Sequence, residues 1–199
     1  SSFRHLIVNA LRGSTTYGQQ QIGRLRKRST GILNFKGRVM AGEMVEFASN
    51  GGTTTGYLAT PETPNGKALV VIQEWWGLND NVRDEAARLA AEGFVVLAVD
   101  LYAGKVATQP PDAMKLAQAL TANPGPAEEN LRAAYAWLDE VEKAPRIGTV
   151  GWCFGGRWSL RTALLLPDQV DATVIYYGTV KADEGELARL QMPILGLFA

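Results

Sequence analysis

The chain has 199 residues, of which 46% are hydrophobic and 9% aromatic, with 20 basic and 20 acidic side chains. This composition is typical of a chain that folds around an apolar core, so it excludes the disordered, fibrous and disulfide-stapled classes. A single cysteine excludes an internal disulfide and gives no sign of secretion. No apolar run approaches the roughly 20 residues of a membrane span. We therefore expect a cytoplasmic protein with no membrane role.

The basic and acidic residues are unevenly distributed. Residues 1–42 contain eight basic side chains and no acidic one, whereas the rest of the chain carries 12 basic and all 20 acidic residues. Three interpretations of the basic segment stay open: sequence upstream of a start at Met40, an organellar targeting peptide, and a basic interaction arm. We predict an extension outside the fold over 1–39 and a domain over 40–199. The acidic domain lacks the basic, aromatic-bearing face of a nucleic-acid-binding protein, so no nucleic-acid partner is expected.

Predicted strands and helices alternate along this domain. Short apolar runs rich in β-branched residues predict buried strands, and Pro, Gly and Asn mark the turns and helix ends between them. The predicted strands cover 53–59, 68–73, 94–99, 146–150, 171–177 and 193–198, and the predicted helices cover 79–92, 111–121, 126–142, 155–166 and 183–190. Asn79 or Asp80 is the candidate cap of the first helix. The order predicts an α/β fold, a mostly parallel sheet with helices on both faces.

One motif carries most of the predicted chemistry. Gly151-Trp152-Cys153-Phe154-Gly155 lies between a predicted strand and a predicted helix, which is the pattern of a nucleophile elbow with cysteine in place of serine. Small residues on either side let the strand turn sharply into the helix and expose the sulfur. The helix N-terminus favours a thiolate at Cys153, and the amide of Phe154 can stabilise an oxyanion. The alternative is a buried cysteine in a glycine-rich turn.

A second candidate group is the carboxylate of Glu74, which follows the strand predicted at 68–73. The carboxyl ends of parallel strands line the ligand crevice of an open α/β sheet, so Glu74 and Cys153 are expected to face the same crevice. The carboxylate can hold or take the thiol proton, and the amide of Trp75 is a second candidate oxyanion donor. An acid after a strand also serves as a cap or ion-pair partner, and this alternative stays open.

Aromatic side chains flank both motifs. Trp76, Tyr102 and Trp152 are candidates to line a substrate pocket, and their alternative role is packing in the core. Asp100 is expected to cap the loop that follows the strand predicted at 94–99.

These motifs resemble the dienelactone hydrolase family of α/β-hydrolases. The resemblance covers residues 44–199 and rests on five segments in the family's order: Gln-Glu-Trp-Trp-Gly (73–77), Asp-Leu-Tyr (100–102), Gly-Trp-Cys-Phe-Gly-Gly (151–156), Tyr-Tyr-Gly (176–178) and Pro-Ile-Leu-Gly-Leu-Phe (193–198). It implies an α/β-hydrolase fold in which Cys153 is the nucleophile and Glu74 pairs with the resting thiol. The amides of Trp75 and Phe154 would form the oxyanion hole.

The reaction that the resemblance implies is hydrolysis of an unsaturated lactone or a related ester. The thiolate attacks, the ring opens to an enolate, and water hydrolyses the acyl-enzyme. The implied partner is therefore a small-molecule lactone or ester. No metal or organic cofactor is implied, and the oligomeric state is left undetermined.

The resemblance also implies an aspartate and a histidine after the nucleophile. The one histidine of this sequence is His5, inside the basic segment. Asp171 is predicted at the strand end away from the crevice, and Asp183 follows in suitable order without further support. We therefore expect a fragment, truncated at the C-terminus, with little activity and an exposed apolar edge strand at 193–198. Two other classes stay open: a non-catalytic binding module that retains the hydrolase pocket, and a thiol redox or transfer protein, which the lack of a resolving cysteine disfavours.

Substrate recognition departs from the family pattern. Family members that act on dienelactone hold the substrate carboxylate with an arginine after Asp-Leu-Tyr, whereas residues 103–118 here contain Lys105 and Lys115 but no arginine. A lysine does not reproduce the bidentate arginine fork, so recognition of a substrate carboxylate stays open. Arg157 and Arg161, four residues apart on the helix after the elbow, are interpreted as a solvated or ion-paired face.

Overall fold

The fold was obtained as a computed structural model that describes residues 30–35 and 38–198, with side chains from Gly42 onward. Its strands are β1 (Thr30–Phe35), β2 (Arg38–Ser49), β3 (Gly52–Thr60), β4 (Ala68–Ile72), β5 (Val95–Val99), β6 (Ile147–Trp152), β7 (Ala172–Tyr176) and β8 (Ile194–Leu197). Its helices are α1 (Asp80–Ala91), α2 (Pro110–Ala122), α3 (Gly125–Glu140), α4 (Phe154–Leu165) and α5 (Glu184–Leu187). Across these described ranges, no helix has the length and apolar character that a bilayer crossing requires.

Every element from β3 to β8 lies where the sequence predicted it. The largest difference is at α5, which was predicted over 183–190 and forms only over Glu184–Leu187. The predicted cap of α1 is confirmed at Asn79, because its side chain accepts a hydrogen bond from the Val82 amide at 3.2 Å. Hydrophobic runs and turn residues therefore suffice to locate these elements.

The structure differs from the predicted domain boundary in one stretch. Thr30–Phe35, which the sequence interpretation assigned to the extension outside the fold, forms β1 and pairs antiparallel with β2 from Thr30↔Glu43 to Phe35↔Arg38. The predicted boundary rested on the basic character of the segment, but strand pairing uses backbone groups and tolerates charged side chains at a sheet edge. The interpretations of residues 1–29 concern a segment outside the described residues.

The described strands form one sheet in the order β1-β2-β3-β5-β4-β6-β7-β8. Three pairs are antiparallel: β1 with β2, β2 with β3, and β3 with β5. The other four are parallel: β5 with β4, β4 with β6, β6 with β7, and β7 with β8. All five residues of β4 are buried, as expected for a central parallel strand covered on both faces. The predicted α/β architecture is confirmed, and the carboxyl ends of β4 and β6 lie side by side.

Helices cover both faces of this sheet. On one face, Val70 and Ile72 of β4 belong to an apolar cluster with the inner sides of α3 and α4. On the other face, Leu69 and Val71 belong to a cluster with the inner side of α1. Alternate residues of one strand thus pack against the helix layers on opposite faces of the sheet.

The edge strand β8 is exposed, as predicted. Ile194 is 42% exposed, Leu197 37% and the following Phe198 60%. Among the described strands β8 pairs with β7 alone, so its outer edge presents apolar side chains and free backbone groups.

Candidate active site

Cys153 lies at the turn from β6 into α4, as the elbow motif predicted. Its backbone has φ 54° and ψ −115°, a conformation that strains any residue with a Cβ. The amide of Cys153 donates a hydrogen bond to the carbonyl of Tyr176 at 2.9 Å, so β7 holds the turn in place. Cys153 is exposed, which excludes the alternative of a buried cysteine.

Glycines allow the strand and the helix to approach this closely. A Cβ on Gly151 would overlap the backbone of Gly155. A Cβ on Gly155 would overlap the carbonyl of Ile72 and lie 2.7 Å from the carbonyl oxygen of Gln73. The helix therefore begins against the end of β4, and this contact sets the position of the sulfur relative to the neighbouring strand.

Two backbone amides next to this turn have no hydrogen-bond acceptor. Phe154 is the first residue of α4, and Trp75 follows the end of β4. Within the described part of the chain, neither amide donates a hydrogen bond. The N-terminus of α4 adds the partial positive charge of the helix dipole. The two predicted oxyanion donors are thus unoccupied, as donors to a developing negative charge must be.

The strand register brings Glu74 to the same edge as Cys153. Ile72 of β4 is the partner of Gly151 in β6, so Glu74 and Cys153 each lie two residues beyond a paired position. Glu74 is half-buried, and burial raises the pKa of its carboxyl group. Its carboxylate forms no ion pair or cap with another described residue, so the alternative structural roles have no support.

Glu74 is one of the residues that line a cavity of about 330 Å³ at this edge of the sheet. The other residues that line it come from β4, α1, and the ends of β6 and β7: Ile72, Asn81, Val82, Glu85, Trp152 and Tyr177. The cavity is large enough for a small-molecule ligand beside the carboxylate.

Tyr177 is a site residue that the sequence interpretation missed. It follows β7 with φ 39°, is exposed, and lines the cavity. Burial is the main cause that raises the pKa of its hydroxyl. The nearby charges of Glu74, Cys153 and Glu85, in that order, raise this pKa further. The Tyr-Tyr-Gly segment at 176–178 was the available sequence signal, but it suggested no role.

Of the three aromatic residues predicted to line a pocket, Trp152 lines this cavity. Its ring stacks on Tyr176 with centroids 5.3 Å apart and planes 8° from parallel. Trp76 is half-buried and lies outside the lining; its ring packs edge-on against Trp75 at 5.0 Å. The carbonyl of Trp76 accepts a hydrogen bond from the Ala107 amide at 2.8 Å, so this residue anchors the neighbouring loop.

Tyr102 lies in the core and does not open onto the crevice. Its side chain is 6% exposed, and its ring centroid lies 6.1 Å from that of Phe154. Burial raises the pKa of its hydroxyl, which has no hydrogen-bond partner among the described residues. The expectation that Tyr102 faces the crevice as a donor is not met, because its ring packs against Phe154.

Asp100 caps the loop after β5, as predicted. Its carboxylate accepts hydrogen bonds from the amides of Tyr102 at 2.9 Å and Gly104 at 2.5 Å, and from the Thr55 hydroxyl at 3.2 Å. These bonds hold the loop that contacts the segment 73–77.

The two acids considered for a triad have structural roles. Asp171 accepts a hydrogen bond from the Ile147 amide at 2.7 Å, at the amino end of β7, which is the end predicted for it. Asp183 caps α5 by accepting from the Glu186 amide at 2.7 Å. His5 lies outside the described residues. In the ranges that the structure covers, no group of three or more Cys, His, Asp or Glu side chains is arranged to bind a metal ion.

Replacing Glu74 with glutamine should stabilise the fold at neutral and alkaline pH. Because burial raises the pKa of this carboxyl in the folded chain, its ionised form opposes folding. Below the ordinary carboxyl pKa both folded and unfolded chains bind the proton, and the penalty vanishes. We expect a higher midpoint of thermal unfolding for Glu74→Gln at pH 8, and a difference that shrinks as the pH falls below about 5.

The matched control is Glu129→Gln, which removes an exposed carboxylate on α3. Its midpoint should differ little from that of the wild-type chain at either pH. A Glu74→Gln midpoint equal to or below the wild-type value at pH 8 contradicts this account.

Comparison with known proteins identifies the family. The sequence model of the dienelactone hydrolase family matches residues 54–199. "Protein usf" of Aquifex pyrophilus is 36% identical in an alignment of 164 residues that covers 79% of this chain and 71% of that protein. A protein of Aquifex aeolicus (strain VF5) named "Putative carboxymethylenebutenolidase" is 33% identical with the same coverage. The solved structure "m3DLH" superposes with a TM-score of 0.68 at 25% identity, covering 80% of this chain and 69% of that one. The chain therefore has the α/β-hydrolase fold and belongs to the dienelactone hydrolase family of hydrolases.

Proposed function

We propose that this chain attacks carboxylic esters or unsaturated lactones through the sulfur of Cys153. The observation that carries the proposal is the strained, exposed Cys153 at the same sheet edge as the half-buried Glu74. The unpaired amides of Trp75 and Phe154 supply the donors that an acyl-transfer reaction requires. The name of the Aquifex aeolicus relative points to the same reaction class.

Each step of the proposed reaction uses groups of this chain. We propose that in the resting site the Glu74 carboxylate accepts the hydrogen bond of the Cys153 thiol; the two residues lie at the same sheet edge, but no such bond joins them in the structure. On attack, the sulfur bonds to the carbonyl carbon, the thiol proton passes to Glu74, and the carbonyl oxygen becomes an oxyanion held by the two amides. Collapse of this intermediate breaks the bond from the carbonyl carbon to the ring or alcohol oxygen. The leaving enolate or alkoxide takes the proton back from Glu74.

Water completes the proposed reaction by hydrolysing the thioester, which releases a carboxylic acid and restores the thiol. We propose that this second half is slow. The one histidine of the sequence is His5, in the basic segment. The carboxylates of the described acids Asp171 and Asp183 already accept hydrogen bonds from backbone amides. Loss of a triad member commonly removes several powers of ten in turnover, leaving catalysis by the oxyanion donors and binding. The proposed reaction uses no metal or organic cofactor.

Alkylation of the single cysteine tests the pairing of Cys153 with Glu74. Iodoacetamide reacts with the thiolate, and a neighbouring carboxylate disfavours that form. We expect Glu74→Gln to react faster than the wild-type chain at pH 7, by about fivefold. This factor corresponds to the roughly 1 kcal/mol of repulsion between two like charges at contact distance in water.

Glu129→Gln again serves as the control and should leave the alkylation rate unchanged. Equal rates for the wild-type chain and Glu74→Gln would mean that the carboxylate does not act on the thiol. Incubation with oxidised glutathione separates the redox alternative, because a redox thiol accumulates a stable mixed disulfide.

A further inference from the structure

A second groove adjoins the oxyanion amides and is separate from the cavity lined by Glu74. It has a volume of about 370 Å³ and lies between α2 and the start of α4. Met114 and Ala117 of α2 form one wall, and the side chains of Trp75 and Phe154 form another. These are the two residues whose amides are unpaired, so the groove lies beside the proposed oxyanion site, although Cys153 is not among its lining residues.

The groove contains one charged side chain, Arg157. This half-buried arginine forms no ion pair or side-chain hydrogen bond with any described residue, and no acidic residue lines the groove. Most arginines in the described part of the chain have such a partner. The carboxylate pairs are Arg83 with Asp80, Arg88 with Glu85, Arg146 with Asp171, and Arg161 with Glu128.

The interpretation of Arg157 and Arg161 as one ion-paired face is therefore confirmed for Arg161 alone. Arg161 reaches Glu128 on α3 at 2.5 Å. Arg157, one turn nearer the elbow, has no such partner among the residues that the structure describes; it lines the groove and also a neighbouring cavity that it shares with Arg161. Sequence spacing does not distinguish the two, because the difference lies in which neighbouring helix supplies a carboxylate.

The chemistry of this groove suits one kind of ligand. Aromatic and aliphatic walls favour an apolar body, and an unpaired guanidinium forms strong, charge-assisted hydrogen bonds with a carboxylate. The Arg157 amide donates to the Cys153 carbonyl at 3.2 Å, so the two residues lie one helical turn apart. Four residues correspond to a rise of about 6 Å along the helix axis. A ligand that spans both residues therefore carries its carboxylate several atoms away from its reacting carbonyl.

We propose that this groove binds the apolar, carboxylate-bearing part of the substrate, with Arg157 pairing the carboxylate while the ester or lactone carbonyl lies at Cys153. The inference rests on the proposed function, since it names the substrate class of the same site. Arg157 occupies a different element from residues 103–118, where the family arginine is missing. Arg157 thus gives this chain its own means of recognising an anionic substrate.

Binding of a non-reactive probe tests the proposal on the 199-residue chain. The probe is 4-phenylbutyrate, its uncharged counterpart is 4-phenylbutyramide, and occupancy is followed by tryptophan fluorescence and by the methyl resonance of Met114. We expect the wild-type chain to bind the acid more tightly than the amide. Arg157→Gln should weaken binding of the acid about tenfold, as loss of a charge-assisted pair predicts, and leave binding of the amide unchanged.

The control is Arg189→Gln, which removes an exposed arginine outside the groove and changes the net charge equally. It should leave both affinities unchanged. Equal affinity of the wild-type chain for acid and amide, or an Arg157→Gln chain that still prefers the acid, overturns the proposal. Acylation of the wild-type chain by p-nitrophenyl acetate, measured beside this titration, separates the two proposals. Arg157-dependent binding without any acylation of the wild-type chain leaves the groove in place and removes the hydrolase chemistry. Acylation without Arg157 dependence does the reverse.

Discussion

Gly155→Ala is expected to destabilise the fold by about 3 kcal/mol or more, a severe effect for one added methyl group. The new Cβ would overlap the carbonyl of Ile72 and lie 2.7 Å from that of Gln73. These are backbone atoms at the end of the central strand β4, so neither can move without displacing the sheet. The free energy of unfolding in urea, measured for the wild-type chain and the variant, gives the difference.

Gly52→Ala is the matched control for this substitution. Gly52 is the exposed first residue of β3, and apart from its chain neighbours the nearest heavy atom to a Cβ built there is the Ser49 carbonyl oxygen at 4.0 Å. Its replacement should change the free energy of unfolding by less than about 0.5 kcal/mol, as is usual for an exposed residue without close contacts. If Gly155→Ala proves as stable as Gly52→Ala, the close approach of α4 to β4 is wrong.

Loss of the sulfur should remove the reaction and spare the fold. We expect the wild-type chain to release p-nitrophenol from p-nitrophenyl acetate, and Cys153→Ala and Cys153→Gly to lose this release. The glycine variant should in addition unfold at a higher urea concentration. Glycine adopts φ 54° without the strain of a Cβ, which is worth about 1 kcal/mol or more. A combined gain in stability and loss of reaction would show that the strain at this residue is kept for its chemistry.

Retention of p-nitrophenol release in both variants would assign the reaction to another group. A glycine variant less stable than the wild-type chain would instead show that the Cys153 side chain contributes packing that outweighs the strain at the turn.

The sequence predicted those parts of the site that depend on local pattern. Glycines at 151 and 155 predict a close turn, and an acid after a buried strand predicts a group at the sheet edge. The structure places Cys153 at that turn and Glu74 just after β4. The register of β4 with β6 then brings them to the same edge without any further sequence signal.

The missed features depend on neighbours that are distant in sequence. Tyr102 follows a strand as Glu74 does, but its ring is buried against Phe154 from another element. Arg157 and Arg161 have equivalent spacing, and only the position of Glu128 on α3 separates their roles. β1 was missed because the basic charge of its segment outweighed the pattern of residues 30–35 in the interpretation, although backbone pairing at an edge places little demand on side chains.

The central claim is that Cys153 is an acyl acceptor activated by its place at the elbow. The most direct test is the intact mass of the wild-type chain after mixing with p-nitrophenyl acetate, followed by peptide mapping. The account predicts that one acetyl group is added per chain, located on Cys153, and that it persists because the residues that the structure describes supply no histidine to assist the attacking water. An unmodified Cys153 that still reacts with iodoacetamide, or an acetyl group found only at other residues, would contradict the claim.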